Sequence, residues 1–244
     1  MKQSNALIIG ASSGIGAELV KQLSQSDEIC EVHAVSRKKL NQTNPKVRCH
    51  QINSLDEQQI RALCKELHSV GHFRLVVSCI GVLQSQIHDK EIKPEKRLED
   101  ISADQLETYF KINTIAPMLW LKHLPLIFDN QKKSQVVMLS ARVGSIADNR
   151  LGGWYGYRAS KAALNMLVKN TQVEYSRRFK NVELICYHPG TVDTDLSKPF
   201  QANVPQNKLF SVSFTVDKLL NHIHTLDIQY APHFIDWDNQ PIDW

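Results

Sequence analysis

ALIIGASSGIG, residues 6–16, joins a short apolar run to a glycine-rich turn and the start of a helix. Residues 6–9 have the length and apolar content of a buried strand, and Ile15, Leu19, Val20 and Leu23 then recur at helical spacing. Gly10 suits a tight turn, Gly14 lets a diphosphate approach the backbone, and Gly16 lets helix and strand pack closely. The helix start adds unpaired N–H groups and the positive end of a dipole. No Gly-Lys-Ser or Gly-Lys-Thr follows, so a P-loop is excluded. The segment reads as a cradle for a dinucleotide.

Outward from this unit, apolar runs bounded by turn residues alternate with helical patterns. Strands are expected at 32–35, 47–52, 74–80 and 135–140, then at 182–188, closed by Pro189-Gly190, and last at 234–237. Helical spacing covers 56–70, 103–128 and 154–179, and Pro117 and Pro125 predict kinks or a break in the second of these. Near-continuous apolar strands separated by helices predict a doubly wound parallel sheet, a Rossmann fold in three α/β/α layers. No repeat, low-complexity tract or flexible linker divides the 244 residues, so one domain is expected across 1–244. Two stretches read as surface loops. Residues 84–100 are strongly charged, and 191–209 hold Pro199 and Pro205 and have the length of a substrate lid.

Composition narrows the function classes. Hydrophobic residues make up 42% of the chain, enough for a substantial core. The 29 basic and 25 acidic residues leave a net +4, but the basic ones are scattered, and Arg37-Lys38-Lys39 is the densest run. That is too short for a nucleic-acid footprint. Cys30, Cys49, Cys64, Cys79 and Cys186 show no CxxC spacing and no pairing logic, so neither a metal site nor a disulfide framework is expected. An odd count with no secretory segment points to a reducing compartment, and no apolar run nears the ~20 residues of a membrane helix. A cytoplasmic protein with no membrane contact is the expectation.

Two further features bear on chemistry. About twenty residues past a dinucleotide turn, an acidic residue marks NAD sites by holding the ribose 2′-hydroxyl. Here Val35 is followed by Ser36-Arg37-Lys38, with no acid and with a guanidinium suited to a 2′-phosphate. NADPH (oxidised form NADP+) is therefore expected over NADH. Further on, WYGYRASKAALN carries Tyr157 and Lys161, which share a helix face at roughly 5–6 Å between Cβ atoms. A free phenol titrates near pH ~10. A neighbouring ammonium and a bound nicotinamide cation favour the phenolate and make Tyr157 a usable acid and base. Tyr155 has only Ala159 four residues on.

Taken together, these features resemble the short-chain dehydrogenase/reductase family in its single-domain form. The likeness spans nearly the whole chain. It rests on GASSGIG, Ser78-Cys-Ile-Gly81, Lys111-Ile-Asn113, Leu139-Ser140 through Gly144, Tyr157-x-x-x-Lys161 and Pro189-Gly190-Thr191. GGWYGYRASKAALNM and FIDWDNQPIDW are most similar to the C-factor-like and carbonyl-reductase-like branch. The resemblance implies Tyr157 as general acid in reduction and Lys161 as the group that holds the nicotinamide ribose and tunes Tyr157. Asn113 is implied as the anchor of a proton-relay water. Ser12, Ser13 and Ile15 are implied to line the diphosphate turn, and Asn53 and Ser54 to meet the adenine. Ser78-Cys79-Ile80-Gly81 keeps the glycine of the family's Asn-Asn-Ala-Gly and loses its amides. The resemblance also implies Pro189, Gly190, Thr191, Val192 and Thr194 as cofactor-binding residues, with Thr191 to Thr194 near the carboxamide end of the nicotinamide.

One position departs from the family. Its substrate-positioning serine stands three residues before the glycine that follows the fifth strand, and here that position is Ala141. Ser140 is one residue earlier, which in a regular strand is the opposite face. A bulge that brings Ser140 in, substitution by Ser145, or no assisting hydroxyl are the three alternatives, with Ser140 the nominal choice.

The resulting expectation is an NADPH-dependent oxidoreductase that reduces a small-molecule ketone or aldehyde to an alcohol. Its rival is an NADP(H)-binding sensor or intercellular signalling protein with little turnover, favoured by Ala141 and the altered Asn-Asn-Ala-Gly. Helices at 104–128 and 155–178 carry apolar faces suited to a second subunit, and the family implies a homodimer or homotetramer.

Overall fold

The computed structural model describes residues 4–87 and 90–244. Seven parallel strands form its central sheet: β1 (Ser4–Ile9), β2 (Ile29–Ser36), β3 (Val47–Gln51), β4 (Phe73–Ser78), β5 (Ser134–Leu139), β6 (Val182–His188) and β7 (His233–Asp236). Their order across the sheet is β7-β6-β5-β4-β1-β2-β3, the Rossmann arrangement. The chain winds from β1 outward to β3, crosses back to β4, and then winds the other way to β7. Between β1 and β4 the connections diverge, and the crevice at their C-terminal ends is where such sheets bind ligands.

The helices covering this sheet are α1 (Gly14–Gln25), α2 (Glu57–His68), α3 (Ala103–Phe110), α4 (Ala116–His123), α5 (Tyr155–Arg178) and α6 (Val212–Ile223). Strand alternation divides the core in two. Leu7 and Ile9 join Leu63, Trp120 and Leu164 of α2, α4 and α5, whereas Ala6 and Ile8 join Leu19 and Val216 of α1 and α6. Val136 and Val137 of β5 split the same way, as do Leu184 and Ile185 of β6. With both faces covered, every strand position favours an apolar side chain.

The single helix expected over 103–128 is interrupted. Between α3 and α4 lies a π-helical turn, Lys111–Ile115, and a 3-10 turn, Leu124–Ile127, follows α4. Pro117 supplies the reason: it has no N–H to give the carbonyl of Asn113 four residues back. The chain widens instead, and the Ala116 N–H donates to the carbonyl of Lys111.

The described residues of the stretch expected as a charged surface loop, 84–100, include regular structure. Ser85–Ile87 and Lys90–Ile92 pair antiparallel, and Glu95 is buried at 1% exposure. The 191–209 segment is tied at both ends, because Thr191–Val192 pairs in parallel with Leu209–Phe210. Trp237 packs on Phe210 there, 4.4 Å between ring centroids. Ser211 then caps α6 by accepting from the Phe214 N–H. Among the described residues, no helix is long and apolar enough to cross a membrane.

Candidate active site

Parallel strands bring the residues singled out above to one edge of the sheet. Gly10 follows β1, Ser36 ends β2 with Arg37 next, Asn53 and Ser54 follow β3, Cys79 and Gly81 follow β4, Ser140 follows β5, and Pro189-Gly190 follows β6.

The glycine turn is held from three sides. Gly10 has φ +84°, a conformation cheap for glycine. The N–H groups of Gly10 and Ala11 both donate to the carbonyl of Val35 at 2.9 Å, which places the turn beside Arg37. Ser13 caps α1: its oxygen accepts from the Gly16 N–H at 3.2 Å while its hydroxyl donates to the Gly10 carbonyl at 2.9 Å. A Cβ on Gly16 would lie 2.4 Å from that carbonyl oxygen, so the helix rests directly on the turn. Ser12, Ser13 and Gly14 are exposed, Ile15 is half-buried, and the first turn of α1 has no acidic residue. An exposed, hydroxyl-bearing turn at an uncompensated helix N-terminus fits a diphosphate.

Other cofactor candidates gather around it. A Cβ on Gly14 would lie 2.9 Å from Cγ2 of Thr194, and one on Gly10 would lie 3.2 Å from the backbone of Cys79. Arg37 is exposed, whereas Ser36 is buried with its oxygen accepting from the Lys38 N–H at 3.1 Å. Asn53 shapes its own loop by accepting from the Leu55 N–H at 3.1 Å. The Ser54 oxygen accepts from the indole N–H of buried Trp120 at 3.0 Å. Gly190 has φ +74° and lies under Phe210 and Trp237, while Val192 is buried.

Tyr157 and Lys161 share the inner face of α5, at 7% and 3% exposure. Nζ of Lys161 stands 5.9 Å from the Tyr157 ring centroid and donates to the Leu139 carbonyl at 2.8 Å. Asn113, wholly buried in the π turn, accepts from the Val82 N–H at 2.7 Å and donates to the Val82 carbonyl and to Ser160 Oγ, each at 3.0 Å. A Cβ on Gly81 would lie 3.5 Å from Lys161 Nζ and 3.8 Å from Asn113 Oδ1, so lysine, amide and glycine share one space. Burial lowers the Lys161 pKa to about 8 and pushes the Tyr157 phenol above its ordinary value. The phenol is therefore in its proton-bearing form at neutral pH.

The candidates for the assisting hydroxyl differ in their surroundings. The Ser140 N–H donates to the Tyr187 carbonyl at 2.8 Å, which continues the β5–β6 ladder with no bulge. Its hydroxyl faces α5 and donates to Asn165 Oδ1 at 2.6 Å. Ala141 is the residue that shares an apolar cluster with Tyr157. Ser145 is buried, and its oxygen accepts from the Asp148 N–H at 3.0 Å.

Aromatic rings close round the phenol. Trp154 and Tyr109 each meet the Tyr157 ring edge-on at 6.2 Å, and Phe200 from 191–209 packs on Trp154 at 5.2 Å. Glu95 reaches the first turn of α5, accepting from the Gly156 N–H at 3.1 Å. Sequence reasoning did not point to Glu95, Tyr109 or Phe200. Gln105 and Tyr109, four apart on α3, carry a helical-face signal, but Glu95 lies in a charged run where a buried acid has no distinguishing mark.

The model of the short chain dehydrogenase family matches residues 4–205. A benzil reductase ((S)-benzoin forming) of Bacillus subtilis is 28% identical over 196 residues, covering 78% of this chain and 75% of that protein. The C-signal protein of Myxococcus xanthus is 29% identical over 147 residues, covering 60% of this chain and 83% of its own. An NADPH-bound carbonyl reductase from chicken fatty liver has the same fold, with TM-score 0.84 and 21% identity over 100% of both chains. The family match takes in the glycine turn, the π turn and both Tyr157 and Lys161, and the chain belongs to the short chain dehydrogenase family of nicotinamide-dependent oxidoreductases.

Proposed function

We propose that the protein is an NADPH-dependent reductase of a ketone or aldehyde, with Tyr157 as its acid. The observation that carries this reading is the shared buried space of Tyr157, Lys161 and Asn113 at the sheet edge that also bears the glycine turn. The turn at 10–16 would hold the diphosphate, Arg37 the 2′-phosphate, and residues 189–194 the nicotinamide end. The cofactor, when bound, supplies the hydride that reduces the carbonyl carbon. Tyr157 gives its phenolic proton to the carbonyl oxygen. Lys161, an ammonium below about pH 8, favours the phenolate so formed and returns a proton to it. Pro117 leaves the Asn113 carbonyl without its helical donor, and a water held there resupplies Lys161.

Trp154, Phe200 and Ala141 make the substrate side apolar and aromatic, which suits a bulky carbonyl compound; the benzil reductase likeness agrees with that choice. The 191–209 segment, carrying Phe200, acts as the lid of a single domain. Ile115, Met166 and Val173, each at least half-exposed on the π turn and α5, provide an apolar face for a homo-oligomer. Five free cysteines suit a reducing cytoplasm.

NADPH oxidation by the purified protein across a panel of carbonyl compounds that includes benzil tests the reading. Turnover on at least one compound is expected. A second reading, a signalling protein that binds NADP(H) with little turnover, is favoured by Ala141 and by the C-signal likeness. Tight NADPH binding with no oxidation on any compound would support it over the first.

A further inference from the structure

α5 begins without a cap of its own. Its N-cap residue, Trp154, lies in the left-handed region at φ +52° and offers no side-chain hydrogen bond, and the first turn has no acidic residue. Gly152 and Gly153 before it also have positive φ, both +65°. A helix entered this way leaves its first N–H groups unpaired and its positive end uncompensated. Tyr157 sits in that same first turn, so its position depends on whatever holds the turn.

Glu95 holds it. Its backbone carbonyl accepts from the Trp154 N–H at 2.5 Å, and its Oε2 accepts from the Gly156 N–H at 3.1 Å. Oε1 is gripped in turn by Gln105 Nε2 at 2.6 Å. The fit is tight: a Cβ on Gly156 would lie 2.9 Å from Glu95 Oε1 and 2.4 Å from Cδ2 of Tyr109. Tyr109 follows Gln105 by one helical turn, donates its hydroxyl to the Leu83 carbonyl at 2.6 Å, and meets the Tyr157 ring edge-on. One face of α3 thus grips the capping carboxyl through Gln105 and the phenol ring through Tyr109.

We propose that Glu95 is a positioning residue of the active site, capping α5 from outside the helix and so fixing Tyr157 relative to Lys161. This rests on Tyr157 being the acid. Two variants test it. Glu95→Ala removes both side-chain bonds. The double exchange Glu95→Gln with Gln105→Glu restores them: the introduced amide accepts from the Gly156 N–H and donates to the introduced carboxylate on α3.

In Glu95→Ala, amide hydrogen exchange at Gly156 accelerates at least about tenfold while the sheet stays protected. Turnover falls about a hundredfold at unchanged NADPH affinity, the cost of a misplaced acid. The double exchange returns both readings to within about threefold of the parent, since every donor meets an acceptor again. Unchanged exchange at Gly156 in Glu95→Ala, or full turnover despite a loosened first turn, overturns the proposal. Should Glu95→Ala not fold, a folded double variant whose first turn exchanges freely overturns it equally. Exchange requires no substrate, so a parent protein inactive on every carbonyl compound would sink the reductase reading while leaving the cap itself measurable.

Discussion

Lys161 donates to the Leu139 carbonyl at 2.8 Å, and this bond holds its Nζ 5.9 Å from the centre of the Tyr157 ring. Holding this ammonium in a buried position costs stability. Burial takes its pKa from 10.5 to about 8, which corresponds to about 3 kcal/mol of destabilisation when both folded and unfolded states are protonated. The sign follows from proton counts. Between about pH 8 and 10.5 the unfolded chain binds a proton that the fold has released, so this penalty fades as pH rises. Lys161→Met should therefore unfold about 2 kcal/mol less readily than the cofactor-free parent at pH 7, with the gap closing above pH 8, and should lose turnover. Denaturant melts at several pH values check this.

The same group is expected to set a pH limit on reduction. Tyr157 stays protonated throughout the range, and Lys161 is an ammonium below about pH 8. Reductive kcat/KM is expected to be level below that pH and to fall above it. Lys161→Arg should carry the falling limb beyond the measurable range, even at reduced rate, in a pH–rate profile.

Ala141 is the position from which a hydroxyl would face the phenol's side of the site. Ala141→Ser should raise kcat about tenfold to a hundredfold by supplying a missing oxyanion donor. Ser140→Ala should instead destabilise the fold by about 1–3 kcal/mol, because it strands Asn165 Oδ1, with a smaller change in turnover. Steady-state kinetics and melts on both variants separate the two positions.

Arg37 is exposed next to the strand end whose Val35 carbonyl holds the glycine turn. Arg37→Asp should weaken NADPH binding about tenfold to a hundredfold and leave NADH binding equal or stronger. Fluorescence titration with each nucleotide measures both.

Much of this architecture is visible in the chain because its signals are local. Buried parallel strands must be apolar on both faces, and runs such as 6–9 and 182–188 say so directly. Tyr157 and Lys161 are legible because helical spacing alone puts them together. Asn113's special turn was half-legible: Pro117 announces a break, but that the helix would widen before the proline depends on what packs around it. Glu95 was hidden because nothing in KPEKR distinguishes the glutamate that turns inward from the exposed charged residues Lys93, Lys96 and Arg97. Its role comes from Gln105 and Gly156, which only the fold brings to it. Phe200 was likewise out of reach, since the contacts of the 191–209 segment are set by loop geometry rather than by periodicity.

The most direct test is Tyr157→Phe, which removes one oxygen and leaves the ring between Trp154 and Tyr109. NADPH binding should persist within about threefold, while carbonyl-dependent NADPH oxidation falls at least a hundredfold. Oxidation at the parent's rate in a variant that still binds NADPH would contradict the assignment of the proton to Tyr157.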